Sequence, residues 1–358
     1  MTIDQLLRFA VEQGASDLHL QTGAAPAVRI TGQLRTVDVP PLSDAQLRQF
    51  IRAIAPARIF DDIGAAMAQG ADFSYGVAGL ARFRANLYSH LGSPGLVLRV
   101  ILPRIRTIEE LNLPPLLREV ALARRGLTLM SGATGSGKST TLAALVDLLN
   151  ESFYIKILTI EDPVEYEHAG KRALVSHVEV GRDTPSFEQG LRQAMRQAPD
   201  VILVGELRDA DSVRMALRAA DTGHQVLATI HSSSAAQTIE RLLALVPPGE
   251  LSIARQQLAS ALVGIISQRL AVGRSGQLRP VVEILRGDSV VAKYIMEDRI
   301  HDIADYLATG QRGMQTFDMH LLQLYHQGLV SGTEALSVAT NAEALALEMR
   351  APGRIRPD

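Results

Sequence analysis

The feature that most constrains the fold is the stretch of residues 127–141, which joins an apolar strand, a glycine-rich loop and a helix. It matches the pattern G-x-x-x-x-G-K-[ST] from Gly132 to Ser139. Glycines let such a loop turn tightly with its N–H groups pointing inward, where they meet the anionic oxygens of a nucleotide. The helix that begins near Lys138 adds about half an elementary positive charge at its N-terminus. The stretch therefore predicts a nucleoside triphosphate site in an α/β domain.

The side chains of this loop suit ATP and Mg²⁺ as cofactors. Lys138 carries a full positive charge that can bridge the β and γ phosphates, and Ser139 can offer its hydroxyl to Mg²⁺. We expect the nucleotide to contact the loop and the first helical turn at Thr134, Gly135, Ser136, Gly137, Lys138, Ser139 and Thr140.

The composition of the chain limits the kinds of partner and site that it can have. A chain of 358 residues is long enough for two or three domains. Its formal charge of −2 and its aromatic fraction of 4% argue against nucleic acid as a partner, which would need a basic surface or stacking platforms. There is no cysteine, which excludes disulfides and thiolate zinc sites. The start lacks the features of a signal peptide and no apolar run reaches eighteen residues, so we expect a cytoplasmic protein without direct membrane insertion.

The first part of the chain reads as a small α+β module. Residues 2–14 have helical spacing of apolar residues, and alternating segments up to residue 102 predict strands of one sheet. Arg82 and Arg84 fall on the same face of their strand. Proline and charge become frequent from Pro103 to Pro115, so we predict a domain at 1–105 and a linker at 106–115.

The next part alternates strands and helices, which predicts a RecA-like core at 116–232. Polar residues follow three of its strands. The run 155–160 leads to the acidic segment that ends at Glu165, the run 201–204 leads to Glu206, and the run 226–230 leads to His231. Because acids at strand ends face the nucleotide crevice in such folds, we expect these three side chains to converge there.

Helical patterns dominate the remainder of the chain. We predict helices at 235–246, 250–268 and 315–328, with one short strand at 281–285 between them. This gives a helical C-terminal part of the ATPase domain at 233–348 and a disordered tail at 349–358.

Several motifs together resemble one family closely. They are similar to those of the type IV pilus retraction ATPases PilT and PilU, within the secretion-type hexameric ATPases. The resemblance covers nearly the whole chain and rests on the glycine-rich loop and on the segments 14–20, 159–165, 204–209, 222–231 and 313–318. It implies a PAS-like N-terminal domain, a homohexameric motor that removes pilin subunits, and a peripheral place at the inner face of the cytoplasmic membrane. The implied partners are a PilC-like platform protein and, as an option, a second ATPase of the PilT or PilU type.

The resemblance also implies roles for single residues. Glu165 corresponds to the glutamate that polarises the attacking water, and Glu206 is expected to hold Mg²⁺ through water. Three arginines of the N-terminal strands correspond to family arginines that could complete a neighbouring subunit's site: Arg82, Arg84 and Arg99. His224 and His231 belong to a histidine box that could sense the γ-phosphate or relay its loss to the next subunit.

One departure from the family pattern bears on the retraction role. Family members carry an Ala-Ile-Arg stretch that is tied to retraction, and here Ala292 stands where the arginine is expected, followed by Lys293. An accessory, PilU-like motor therefore stays open. A pilus-assembly or type II secretion ATPase is disfavoured by the short start and the absence of cysteine. A DNA-stimulated motor is disfavoured by the neutral charge, and a scaffold with a decayed site is disfavoured by the intact Lys138 and Glu206.

Overall fold

The chain divides into two compact units in a computed structural model that describes residues 2–30, 32–101 and 104–350. Unit 1 comprises Met1–Ile105, Asp162–Glu167 and Gly181–Asp183, and unit 2 comprises the rest of the chain. Most of the predicted tail, from residue 351 onward, lies outside the described residues. In the part of the chain that is described, no helix is both long enough and apolar enough to cross a bilayer.

Unit 1 contains an antiparallel sheet of six strands within its described residues, in the order β3-β2-β1-β6-β5-β4. Along β5 buried and half-buried residues alternate, so Phe83, Ala85 and Leu87 face the core while Arg82 and Arg84 share the other face, as predicted. The strands are β1 Asp17–Gln21, β2 Ala27–Ile30, β3 Gln33–Thr36, β4 Ala71–Val77, β5 Ala81–His90 and β6 Ser93–Ile101.

The helices of unit 1 cover one hydrophobic core together with this sheet. Thr2 and Ser43 cap the first two helices, each with a glutamine three residues later that bonds back to the cap. Leu6 and Leu7 of the first helix are fully buried. The helices are α1 Ile3–Glu12, α2 Asp44–Ile54, α3 Ala57–Phe60 and α4 Ile63–Gln69.

Unit 2 is built on a sheet of seven strands among the described residues, in the order β13-β12-β7-β11-β10-β8-β9. The neighbouring strands run parallel except for the pair β12–β13. Three central strands, β7, β10 and β11, are buried at every position, as expected for a parallel sheet covered on both faces. The strands are β7 Gly126–Ser131, β8 Lys156–Glu161, β9 Leu174–Glu179, β10 Val201–Val204, β11 Gln225–Ile230, β12 Leu262–Val272 and β13 Leu278–Arg286.

Helices pack on both faces of this sheet. Leu129 of β7 belongs to one core cluster and its neighbour Met130 to another, because successive residues of a strand point to opposite faces. A third cluster lies among the C-terminal helices. The helices are α5 Leu116–Ala121, α6 Lys138–Ser152, α7 Phe187–Ala194, α8 Ala210–Asp221, α9 Ala235–Ala244, α10 Leu251–Ala261, α11 Ser289–Met296, α12 Asp302–Ala308, α13 Phe317–His326, α14 Gly332–Val338 and α15 Ala342–Arg350.

Two expectations about unit 2 need correction. The helix predicted at 250–268 is wrong beyond Ala261, where α10 ends and β12 begins at once, so the C-terminal part contains a strand pair as well as helices. The sequence also gave no sign of β9, which pairs with β8 at the sheet edge. Residues 106–115, predicted as a linker, contribute Ile108, Leu111 and Leu113 to the core of unit 2.

Candidate nucleotide site

The glycine-rich loop connects β7 directly to α6, as the sequence predicts. Gly132, Gly135 and Gly137 all have positive φ, at 148°, 79° and 84°. A Cβ atom at Gly132 would lie 2.4 Å from the carbonyl oxygen of Gln268. Only glycine fits this backbone, because side chains disfavour both the dihedral angle and the close approach.

Lys138 is the first residue of α6, and its side chain is almost fully buried. Its Nζ donates to the carbonyl oxygens of Gly132 at 2.8 Å and of Ala133 at 2.9 Å. The ammonium group is therefore held against the loop itself. Since phosphate oxygens carry negative charge and carbonyl oxygens do not, phosphate attracts the ammonium group more strongly and can compete for it.

A cavity of about 290 Å³ opens over the loop. Its lining residues are Gly132, Ala133, Thr134, Gly135, Ser136, Ser233, Gln268, Arg269 and Leu270. The buried hydroxyl of Ser136 has no hydrogen-bond partner among residues 2–30, 32–101 and 104–350. A buried hydroxyl without a partner is costly, and an anionic oxygen would satisfy it, so the cavity fits a nucleotide phosphate.

Glu206 and His231 meet at the edge of the sheet where β10 and β11 end. His231 Nε2 lies 3.3 Å from Glu206 Oε1, and Arg208 Nε donates to Glu206 Oε2 at 2.7 Å. Both strands run parallel to β7, whose carboxyl end carries the loop, so all three features share one edge of the sheet. The structure thus brings together two of the side chains that the sequence assigned to the crevice.

His224 does not lie at that edge of the sheet. It lies just before β11, and its Nδ1 is 3.1 Å from the carbonyl oxygen of Ala219. His231 follows the other end of the same strand. A strand of six residues separates its two ends by about 20 Å, so one chain cannot bring both imidazoles to one phosphate.

Glu165 lies in the segment Asp162–Glu167, which belongs to unit 1 together with the three predicted arginines. Arg84 Nη1 is 3.6 Å from Glu165 Oε1. Arg82 bonds to Glu167 and donates to Ser74 Oγ at 3.0 Å. The two arginines on one face of β5 therefore each face a carboxylate of this acidic segment.

Arg99 has a different partner from the other two arginines. It pairs with Asp17 across β1 and β6, with Nε 3.0 Å from Oδ1. Burial by itself would raise the pKa of Asp17, but hydrogen bonds from Ser16 and Arg99 outweigh it and lower the pKa below its usual range. Arg99 thus stabilises a buried carboxylate of the N-terminal sheet.

Gln268 is a site residue that was not predicted from the sequence. It lies on β12, in the stretch predicted as helix, and its side chain bonds to both the loop and α6. Ser233, which lines the cavity, was also missed. The available signal was the polar pair Ser267 and Gln268 at the end of an apolar run, which matches the strand-end pattern found at Glu206.

No cluster of three or more histidine, aspartate or glutamate side chains suited to a metal occurs in the described parts of the chain. Two groups at the loop's edge of the sheet have oxygen atoms that could coordinate a metal ion. They are the hydroxyl of Ser139, on the first turn of α6, and the carboxylate of Glu206. These oxygen ligands suit Mg²⁺, which takes few protein ligands and completes its shell with water and phosphate oxygens.

The fold and the loop together define a P-loop ATPase. Residues 1–327 match the family model described as Type II/IV secretion system protein. The chain is 42% identical to the type IV pilus retraction ATPase PilT of Pseudomonas aeruginosa over 94% of this chain and 97% of that protein. It is 37% identical to the type IV pilus ATPase PilU of the same organism, over 98% and 92% of the two chains.

A solved structure agrees with these sequence matches. The crystal structure of the pilus retraction motor PilT with bound ADP has a TM-score of 0.88 and 36% identity, covering 97% of this chain and 99% of that chain. The chain therefore belongs to the Type II/IV secretion system protein family, and the resemblance predicted from its motifs is confirmed.

Proposed function

We propose that this chain is an ATP-driven motor that retracts type IV pili and acts as a homohexamer. The proposal rests on the similarity to PilT over nearly the whole length of both chains, with 42% of residues identical. It is supported by an intact phosphate-binding loop with a cavity above it. The PilT structure holds ADP, which supports a nucleotide in the same place here.

Within one chain, the loop would bind the phosphates through its inward N–H groups, and Lys138 would bridge the β and γ phosphates. Ser139 and Glu206, the latter through water, are the residues that would hold Mg²⁺. When bound, Mg²⁺ offsets the negative charge that builds up between the β and γ phosphates. Arg208 and His231 orient the Glu206 carboxylate through their contacts with it.

Glu165 would orient and deprotonate the attacking water, with Arg84 fixing its side chain. Arginines supplied by a neighbouring subunit often complete such sites, and Arg82, Arg84 and Arg99 are the proposed sources. His231 beside Glu206 would respond to loss of the γ-phosphate, whereas His224, at the other edge of the sheet, would act only through a neighbour.

The proposed surroundings of the motor are those that the resemblance to the pilus retraction ATPases implies. We place the motor in the cytoplasm, at the inner face of the cytoplasmic membrane, on a PilC-like platform protein. Unit 1 would be a PAS-like domain, and a second ATPase of the PilT or PilU type is a further partner.

A second candidate is an accessory motor of the PilU type, and one position favours it. Ala292 lies on α11, at the position where the resemblance to the retraction ATPases leads us to expect an arginine. The adjacent Lys293 is 64% exposed and lies 3.9 Å from Glu297, so its charge is partly matched within the helix. Lysine also lacks the planar fork of arginine.

Genetic complementation separates these possibilities. The gene would be expressed in a pilated bacterium that lacks its own retraction ATPase, and surface pili and twitching motility would be scored. An independent retraction motor reduces surface pili and restores twitching, while Lys138→Ala does neither. A PilU-like accessory motor restores twitching only when another retraction ATPase is present. Loss of all pili on deletion of the native gene would contradict retraction and favour assembly.

A further inference from the structure

Gln268 lies where the phosphate-binding loop leaves the sheet. Strand β12 pairs in parallel with β7, with Ile266 opposite Met130 and Ser267 opposite Ser131. Since Ser131 is the last residue of β7, the next residue of β12 lies beside the start of the loop. Gln268 is thus placed by strand register, and its side chain is 2% exposed.

Both ends of its amide are used. Nε2 donates to the carbonyl oxygen of Ser136 at 2.6 Å, and Oε1 accepts from the Thr141 hydroxyl at 2.7 Å. The carbonyl of Ser136 can only accept, which fixes the orientation of the amide. One side chain therefore joins the loop, two residues before Lys138, to the first turn of α6.

The backbone of β12 also determines the loop's shape. A Cβ at Gly132 would lie 2.4 Å from the carbonyl oxygen of Gln268, and one at Gly137 would lie 2.9 Å from its Nε2. Two of the loop's glycines are therefore pressed against this single residue. The conformation of the loop depends on β12 as well as on β7.

The next residue of β12 connects to the C-terminal helices. The guanidinium of Arg269 lies 3.9 Å from the ring centroid of Phe317 on α13, and it donates to the carbonyl oxygen of Val338 on α14 at 2.8 Å. A displacement of these helices would move β12, and through Gln268 it would move the loop.

We propose that Gln268 is a positioning residue for ATP hydrolysis, which holds the loop bearing Lys138 in the shape that receives the nucleotide. The proposal rests on hydrolysis at this loop, and it does not depend on what the motor moves. Gln268 acts through the loop and the helix start, because the nitrogen and the oxygen of its amide each already bond to one of them.

The test compares Gln268→Met with Gln225→Met in the full chain. Gln225 is a matched control, because it is equally buried and its Nε2 also donates to a carbonyl oxygen, that of Ala121, at 2.6 Å. It lies at the other edge of the same sheet, at the start of β11. Methionine keeps the volume of glutamine and removes the amide.

We expect both variants to lose thermal stability, and only Gln268→Met to bind and hydrolyse nucleotide less well. Its kcat/KM for ATP should fall by about 10- to 100-fold and its ADP dissociation constant should rise, because the Ser136 carbonyl loses its donor. If Gln268→Met loses stability as Gln225→Met does while kcat, KM and ADP binding stay at wild-type values, the residue is only structural and the proposal fails.

A second pair guards against a variant that does not fold. Gln268→Leu removes both bonds without adding a charge near the phosphates, whereas Thr141→Val removes only the bond to the helix start and leaves the donor to Ser136 in place. The leucine variant should raise KM more than the valine variant, and the reverse order would overturn the proposal. A wild-type chain without ATPase activity would instead count against the proposed function.

Discussion

At the scale of single residues, Glu206 is the carboxylate whose surroundings best fit a role with the metal and the reacting phosphate. We predict that Glu206→Gln lowers kcat by about 100-fold or more, since charge aimed at a developing transition state contributes at that level. ADP binding measured without Mg²⁺ should change little. The control is Glu250→Gln, which removes a carboxylate paired with Arg214 on the surface. Wild-type turnover by Glu206→Gln would remove this residue from the reaction.

The residues found from sequence differ in kind from those that were missed. The places of Glu206 and His231 could be predicted because a local pattern, a buried strand followed by a polar residue, fixes which edge of a parallel sheet they reach, and Lys138 could be predicted because the glycine-rich motif leads into a helix. His224 and His231 are close in sequence but lie at opposite ends of β11, because a strand separates them. Gln268 was missed because its segment was predicted as helix, so the polar pair that it forms with the preceding serine was not recognised as part of a strand, and its place beside the loop depends on the register of β12 against β7.

At the scale of elements, β12 shows why the C-terminal part was misread. Leu258, Leu262 and Ile266 recur every four residues, which imitates a helix across the end of α10. The β-branched Val263, Ile265 and Ile266 favour a strand. Long-range pairing determines that the segment is a strand, because it is hydrogen-bonded to β7 on one side and to β13 on the other. The mixed α/β fold was predictable, and the closing strand pair was not.

The docking of α13 on β13 gives a prediction about pH. His320 of α13 accepts a hydrogen bond from the backbone N–H of Val282 at its Nδ1, at 2.9 Å. Burial lowers the pKa of His320 from 6.5 to about 4. Below pH 6.5 the unfolded chain takes up this proton more readily than the folded one, so stability falls as pH drops toward 4. The free energy of unfolding should fall by about 2 kcal/mol between pH 7.5 and pH 5 as a result of this one histidine.

Urea unfolding of wild type and His320→Gln at both pH values measures that difference. The difference in free energy of unfolding between the two proteins should become smaller as the pH falls, because the unfolded variant lacks the histidine that takes up a proton in the unfolded wild type. Burial also lowers the pKa of His168 to about 4, so part of the acid sensitivity stays in both proteins. The variant His301→Gln, at an exposed position, controls for the loss of a histidine as such. Parallel pH profiles for wild type and His320→Gln would contradict the assignment.

At the scale of the whole molecule, the proposed division of the active site between subunits can be tested by mixing inactive chains. Lys138 belongs to unit 2 and Arg84 to unit 1, where it faces Glu165. If Arg84 serves a neighbour's nucleotide, Lys138→Ala and Arg84→Ala subunits should each be inactive alone and recover together. At equal proportions, about a quarter of the sites would pair an intact loop with an intact arginine.

The control for this experiment mixes Lys138→Ala subunits with Glu206→Gln subunits. Lys138 and Glu206 belong to the same unit and lie at the same edge of one sheet, so one subunit must supply both and no activity should return. Hybrids would be made by co-expressing chains with two different tags and purifying the doubly tagged assemblies, and ATP turnover per assembly would be measured. Recovery in the arginine mixture but not in the glutamate mixture places Arg84 at a subunit boundary. If neither mixture recovers, Arg84 acts within its own chain by orienting Glu165, and the shared site is refuted for this residue.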